Sequence, residues 1–319
     1  MNIRTIDKRR LRETAARRST AFFSAAIRTI LILGLSFVIL YPFFTKVSMS
    51  LMETRDVYDM SVRYYPKNFT LYNYRVMLVV TDYFKTLLNT VGISALAGLL
   101  QTLSCTLTAY GLARYRFPGS KLLFVLVFVF MVVPPDVILA PLFLRFQYFD
   151  VFGLYHLITG RRGIGLTNTV WPFVLLGATA MGLKNGLYIF LMRQHFMGAP
   201  RELEEAAYVD GAGPYRGFLY IMLPGALSMM ATVFLFSFLW QYLDGIYTTS
   251  FLPNTNTMIS VMMSVGNINN LMESGISNVA TATLIRYAGI VAMTVPLLIM
   301  YIACQKLFVE SIDRSGLVG

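Results

Sequence analysis

Long apolar segments alternate with short polar ones along almost the whole chain. Each apolar segment approaches the roughly 20 mainly apolar residues that a helix needs to cross a hydrocarbon core. Glycine, proline and charged residues separate these segments, as is expected between helices. The pattern therefore predicts six membrane-spanning helices, at about residues 25–49, 85–109, 121–146, 168–193, 222–242 and 282–308.

The composition supports an integral membrane protein. Of its 319 residues, 56% are hydrophobic and only 13% are charged, and the mean hydropathy is +0.60. A soluble domain carries about a quarter charged residues. We therefore expect an all-α membrane protein with a basic arm over residues 1–24, a transmembrane domain over residues 25–308 and a short tail over residues 309–319.

The positive charge is concentrated where a membrane protein needs it. The formal net charge is +11, and a basic cluster that includes Arg9, Arg10 and Arg12 precedes the first apolar segment. Lysine and arginine are also more frequent in the predicted loops on the side of the termini than in the opposite loops. By the positive-inside rule both termini are predicted to be cytoplasmic. Anionic lipid headgroups, and not nucleic acid, are then the expected partner of the arm.

Residue types that support catalysis or metal binding are sparse. The chain has no Gly-x-x-x-x-Gly-Lys-Ser/Thr phosphate loop, and His156 and His195 are isolated in the sequence. The two cysteines, Cys105 and Cys304, fall within apolar segments and show no metal-ligand spacing. We therefore expect no enzymatic activity, no metal site and no cofactor bound by this chain itself.

The polar loop between the fourth and fifth apolar segments carries a spaced motif. Pro200 suits the first turn of a helix, and the glutamates that follow are favoured there by the helix dipole. Gly211 and Gly213 then break the helix before Pro214 begins another. A short helix, a sharp bend and a second helix are thus predicted. The motif positions are Glu205, Ala206, Ala207, Asp210, Gly211, Ile221, Leu223 and Pro224.

This motif resembles the EAA loop of ABC-type import permeases. The spacing between its Glu-Ala-Ala, Gly, Ile and Leu-Pro residues is the same as in that family. We call residues 205–224 the EAA segment. The resemblance covers most of the chain and is closest to the carbohydrate, maltose-type branch of these importers. One departure is Gln241 after Trp240, where the family commonly has Asn, and the C-terminal tail differs as well. The supporting pieces are residues 71–74, 88–90 and 109–114 together with Pro134, Pro141 and Trp240.

The resemblance implies a type I ABC importer permease fold and a function. The chain would be a permease subunit that translocates a sugar or oligosaccharide across a bacterial inner membrane. Its partners would be a second permease in a heterodimer, two copies of an ABC ATPase and an extracellular solute-binding protein. ATP and Mg²⁺ would bind to the ATPase. The loop over residues 194–221 would be the cytoplasmic coupling loop, in which Glu205 pairs with a basic residue of the ATPase and Gly211 permits the bend.

A possible substrate path is defined by polar and aromatic residues near the span ends. Aromatic faces stack on the apolar faces of sugars, and carboxylates accept hydrogen bonds from hydroxyls. A packed span end with an interfacial aromatic belt explains the same residues equally well. The candidates are Asp136, Trp240, Tyr242, Asp244 and Tyr247.

Two other functions stay open at this point. An ion-coupled secondary transporter would need a coupling carboxylate at mid-membrane depth, for which Asp136 is the one fair candidate. An ABC importer of a non-sugar solute is the other alternative, because an EAA loop does not distinguish solutes. The ligand of the binding protein would decide between a sugar and a non-sugar solute.

Overall fold

The protein is described by a computed structural model. It covers the backbone of residues 3–62, 64–265 and 278–316, and the side chains of residues 22–62, 64–263 and 278–306. Within these residues the chain is mostly helical, and extended backbone pairs only at two isolated bridges, Met52–Phe69 and Phe149–Ile164. The predicted all-α fold class is confirmed.

The described helices follow the predicted spans and the loops between them. A π-helical turn at Phe218–Met222 lies between the eleventh and twelfth helices. The helices are α1 (Ile3–Ser50), α2 (Thr54–Tyr58), α3 (Tyr72–Val80), α4 (Tyr83–Arg114), α5 (Ser120–Val132), α6 (Pro135–Gln147), α7 (Leu154–Thr159), α8 (Trp171–Ala178), α9 (Asn185–Gly198), α10 (Glu202–Val209), α11 (Pro214–Gly217), α12 (Leu223–Gly225), α13 (Leu227–Tyr242), α14 (Ile246–Phe251), α15 (Met258–Val265) and α16 (Val279–Gly316).

The chain forms two compact units. The first comprises Met1–Tyr74 and Asn278–Val291, and therefore contains α1, α2 and the start of α16. The second comprises Arg75–Ser277 and Ala292–Gly319. Residues 317–319 of the predicted tail lie outside the described residues, whereas residues 309–316 continue the backbone of α16.

In the first unit, α1 carries the first predicted span. Its apolar part, Phe22–Ser50, has a mean hydropathy of 2.2 in its most apolar window, and no residue of that window is buried within this chain. A helix that is apolar all round and exposed must be covered by lipid or by another protein. The side chains of this apolar window therefore form surface of the chain.

Buried polar side chains order the loop that follows α1. The Asn73 amide donates hydrogen bonds to the carbonyl oxygens of Ser50 and Met52, at 2.9 and 2.8 Å. Burial acts to raise the pKa of the Asp56 carboxyl. Hydrogen bonds from the backbone and side chain of Asn68 outweigh this effect and hold the pKa below its ordinary value. The loop is therefore closed by polar contacts that apolar patterning does not reveal.

In the second unit, α4 is the central helix and packs against α8, α9 and α13. Small residues allow this close approach. A Cβ atom on Gly98 would lie 3.3 Å from the ring of Phe234 on α13, and one on Gly177 of α8 would lie 3.0 Å from the Cβ atom of Leu100. Small residues at helix contacts are typical of packing within membranes. They fix α4 between its neighbours.

Three described helices are long and apolar enough to cross a membrane, and they correspond to the first, second and sixth predicted spans: Phe22–Ser50, Tyr83–Arg114 and Val279–Lys306. Two bent pairs bring the number up to five. α5 and α6 meet at an angle of 103° on either side of Pro134, and the helical stretch Pro214–Gly225 meets α13 at 71°. Proline bends of this kind leave carbonyl groups without an intrahelical partner.

The fourth predicted span, residues 168–193, is divided in the structure. α8 ends at Ala178 and α9 begins at Asn185. Ala180 and Lys184 in the connection have φ angles of +56° and +61°, which a continuous right-handed helix excludes. Apolar patterning predicted a single span because the connecting residues are themselves mostly apolar or small.

Candidate functional site

The EAA segment folds as the sequence predicted, into a short helix, a bend and a second helical stretch. α10 follows Pro200 and carries Glu202, Glu204 and Glu205 in its first turn. Gly211 ends it with a φ angle of +81°, a left-handed conformation that glycine adopts without steric cost. The amide of Ala212 donates to the carbonyl of Ala207 at 2.9 Å, which closes the turn.

The second half of the segment leads directly into α13. α11 begins at Pro214, and the π-helical turn and α12 follow without a gap. Ala226, which is fully buried, occupies the bend before α13. The segment is thus joined through its backbone to a helix of the core.

Most of the predicted coupling positions lie at the surface. Glu205, Ala206, Asp210, Gly211 and Pro224 are exposed, Ile221 and Leu223 are half-buried, and Ala207 is buried. Large apolar side chains are exposed beside them, and an apolar surface of this kind is typical of a protein interface. These side chains, which we call the apolar face of the EAA segment, are Leu203, Tyr208, Val209, Tyr215, Leu219 and Tyr220.

Sequence reasoning missed one functional candidate, Glu204. Its residue is 7% exposed, and its Oε1 atom accepts a hydrogen bond from the Tyr110 hydroxyl at 2.7 Å. The Nε atom of Arg114 lies 3.2 Å from Oε2 of Glu204, an ion pair that is not aligned as a hydrogen bond. Tyr110 and Arg114 are one helical turn apart at the end of α4, so both point to one side. That spacing was the available signal.

Aromatic rings surround the contact between Glu204 and Tyr110. The Tyr110 ring lies 4.6 Å from that of Phe218 in the π-helical turn and 5.4 Å from that of Phe196 on α9, measured between centroids. Arg114 also donates to the carbonyl of Ala199 at 2.8 Å, just after α9. The end of α4 therefore meets α9, α10 and the π-helical turn at one buried point.

Four of the five substrate-path candidates line one cleft of about 260 Å³ in the second unit: Asp136, Trp240, Asp244 and Tyr247. Lys184 lines it too, and its Nζ atom lies 4.9 Å from the centre of the Trp240 ring. Tyr242 does not belong to this group. It is fully buried, and its hydroxyl donates to the carbonyl of Met293 at 3.1 Å.

Two of the cleft residues already have structural hydrogen bonds. The Asp244 carboxylate accepts hydrogen bonds from the amides of Ile246, Tyr247 and Thr248 and from the Thr248 hydroxyl. It therefore caps α14. The Tyr247 hydroxyl donates to the carbonyl of Pro135, the first residue of α6, at 3.2 Å. Asp136, which is exposed, and Trp240 remain the residues best placed to meet a solute.

Comparison with known proteins places the chain in a family. Residues 105–314 match the model of the family described as binding-protein-dependent transport system inner membrane component. The chain belongs to this family. The matched range contains the C-terminal end of α4, the EAA segment and every residue that lines the cleft. The function of the chain is therefore transport through a membrane, as part of a system that uses a binding protein.

Several relatives are named as sugar transport permeases. The chain is 30% identical over 254 residues to the alpha-glucoside transport system permease protein AglG of Rhizobium meliloti, a match that covers 80% of this chain and 62% of AglG. It is 26% identical over 304 residues to the trehalose transport system permease protein SugB of Mycobacterium tuberculosis. That match covers 95% of this chain and 99% of SugB.

A solved structure shares the fold. A chain of a bacterial ABC transporter involved in the import of the acidic polysaccharide alginate superposes with a TM-score of 0.71. The identity is 21%, and the match covers 91% of this chain and 98% of that one. The predicted permease fold of an ABC importer is confirmed.

Proposed function

We propose that this chain is a permease subunit of an ATP-driven importer. The EAA segment contacts the ATPase subunits and transmits their movement to the transmembrane helices. The observation that carries this proposal is the apolar face of the EAA segment, in a chain of this family. Its apolar side chains sit beside the exposed Glu205 and the exposed left-handed turn at Gly211. An apolar patch with a charged rim is the expected form of a docking surface.

The transported solute is a sugar or oligosaccharide. The names of AglG and SugB, and that of the diacetylchitobiose uptake system permease NgcG, support this assignment. Family membership favours the binding-protein-dependent importer over an ion-coupled carrier. A relative named for osmoprotective compounds, GgtD of Synechocystis, is the observation that supports a non-sugar solute as the second candidate.

The complex contains two permeases, of which this chain is one, two ATPase subunits and an extracellular binding protein. ATP and Mg²⁺ bind to the ATPase, and this chain performs no chemical step. The N-terminus faces the cytoplasm of a bacterial cell, because the basic arm precedes the first span, and the six spans predicted from the sequence place the C-terminus on the same side. The cleft beside Trp240 contributes to the solute path, with Asp136 and Trp240 as the contacting residues.

The test is purification of the tagged chain from its native membrane in a mild detergent, followed by mass spectrometry of the bound proteins. We expect an ATPase and a second permease to remain bound. The binding protein encoded or recovered with them is then screened by calorimetry against α-glucosides, trehalose and osmoprotective solutes. Recovery of the chain without an ATPase, even after crosslinking, would contradict the proposal.

A further inference from the structure

We infer that Glu204, which lies in α10 directly before the EAA segment and is held by Tyr110 and Arg114, ties that segment to α4, so that α10 and the C-terminal end of α4 move together. This inference rests on the proposed coupling function of the EAA segment. It assigns a positioning role to residues that do not reach the surface. It also separates two neighbouring glutamates, because Glu204 faces inward and Glu205 faces outward.

The first step is the burial of Glu204. A buried carboxylate is costly unless hydrogen bonds and a charge partner compensate for the loss of water. The Tyr110 hydroxyl at 2.7 Å and the Arg114 guanidinium at 3.2 Å provide both. The side chains of Arg114 and Glu204 are only 6% and 10% exposed. Rotation of α10 about its axis would turn the Glu204 side chain towards water and break both contacts. The buried contacts therefore hold α10 in one orientation.

Glu204 provides the polar side-chain link between α10 and α4. Within the described residues, the side-chain hydrogen bond and ion pair that leave α10 both start at Glu204. The rest of α10 contacts α11 and the π-helical turn, which belong to the same loop. Without Glu204, α10 would lose this polar link to α4 and would keep the packing of the buried Ala207 and the flanking backbone.

The position of α4 at the centre of the second unit makes this link effective. This helix packs against α8, α9 and α13, so a displacement of its end is transmitted to three helices at once. The backbone connects α10 to α9 through residues 199–201 and to α13 through the π-helical turn and the 71° bend, but it does not connect α10 to α4. Coupling between sites requires an element that both sites bias. The contact of Glu204 with Tyr110 makes α4 such an element.

The experiment measures whether α10 follows α4. Spin labels are placed on cysteines at Arg201, just before α10, and at Arg116, just after α4, in a variant with Cys105 and Cys304 replaced by alanine. Both label sites are exposed. Distances are measured in the complex purified from membranes, first without nucleotide and then with MgATP and vanadate. We expect one narrow distance that differs between the two states by less than about 2 Å, the size of ordinary helix shifts.

Two variants break the tie and one leaves it intact. Tyr110→Phe removes the donor but keeps the ring packed, and Glu204→Gln keeps the size but removes the charge. Both are expected to broaden the distance distribution and to make it depend on nucleotide, while the ATPase stays bound. ATP-driven uptake of the solute identified for the binding protein should fall about tenfold or more, with ATP hydrolysis retained. Glu202→Gln, at an exposed site in the same turn, is the control and should behave as wild type.

The outcomes separate the tie from the coupling function. Narrow, nucleotide-independent distances in Tyr110→Phe and Glu204→Gln would overturn the tie even if the ATPase is bound. A distance that changes with nucleotide in the wild type would overturn it as well. Loss of the ATPase from the wild-type complex would instead contradict the proposed coupling function. The distance widths in the isolated chain would still test the tie in that case.

Discussion

The end of α4 and the cleft beside Trp240 both carry carboxylates, but the two regions use them differently. At the end of α4, Glu204 is buried and joins two helices through side chains distant in sequence. In the cleft, Asp244 accepts hydrogen bonds from the backbone amides two to four residues later. The first carboxylate links separate elements, and the second completes the start of one helix. A carboxylate near a membrane span is thus not by itself a sign of solute binding.

The largest expected effect comes from breaking the link at the end of α4. Glu204→Ala leaves Arg114 buried without its charge partner, which costs about 3–5 kcal/mol in the free energy of unfolding. Glu202→Ala, at an exposed site in the same turn, should change it by no more than about 0.5 kcal/mol. The measurement is the thermal midpoint of the detergent-purified chain. It is obtained by heating samples and quantifying the remaining folded protein by fluorescence-detected gel filtration. Equal midpoints for the two variants would show that the buried contact does not stabilise the fold.

A smaller effect is expected from removing the cap in the cleft. Asp244→Ala exposes the first amides of α14 and should cost about 1–2 kcal/mol. Asp136→Asn, at an exposed position in the same cleft, should leave stability within about 0.5 kcal/mol. The same thermal assay, combined with uptake measurements, distinguishes the two carboxylates. If Asp136→Asn lowered the midpoint as much as Asp244→Ala, the distinction between a cap and a solute contact would be lost.

The turn of the EAA segment offers a prediction of about 1 kcal/mol. Gly211→Ala places a Cβ atom at a φ angle of +81° and should destabilise the turn by about that amount. Gly198, at the exposed end of α9, has no left-handed φ angle, and an added Cβ meets no atom within 4 Å, so Gly198→Ala is the matched control. Protease cleavage of the loop in the folded chain measures its local opening. Cleavage rates that do not differ between the two variants would contradict a role of backbone conformation here.

The smallest effect is expected at the Trp240 ring. Lys184→Met keeps the length of the side chain but removes the cation, and should cost about 0.5–1 kcal/mol. Lys85→Met, at an exposed position, is the control. Quenching of tryptophan fluorescence by acrylamide, a neutral quencher, measures how far the Trp240 ring is shielded from solvent. We expect faster quenching only in Lys184→Met, and equal quenching in both variants would show that the lysine does not shield the ring.

The fold could be predicted in outline because apolar length is recorded directly in the sequence. The first, second and sixth spans appear near their predicted positions as Phe22–Ser50, Tyr83–Arg114 and Val279–Lys306. The division between α8 and α9 was missed, since positive φ angles at Ala180 and Lys184 leave no trace in hydropathy. The bend of 103° at Pro134 was only partly predicted. Proline indicates a break but does not give its angle.

The site could be predicted in part for a similar reason. The EAA segment is a local pattern, so its helix, turn and second helix followed from spacing. Which of two adjacent glutamates points inward depends on the rotation of α10 about its axis, where neighbouring residues differ by about 100°. That rotation is set by Tyr110 and Arg114, about ninety residues earlier in the chain. Tyr242 was chosen by residue type, and its burial depends on tertiary packing.

The exposure of α1 has a consequence for the order in which the protein is made. Its apolar stretch is complete by Ser50, and no residue in its most apolar window is buried by the rest of this chain. An isolated membrane helix satisfies its own backbone hydrogen bonds. The first span can therefore insert while the ribosome is still synthesising the remainder, and its final neighbours have to be supplied by lipid or by another subunit.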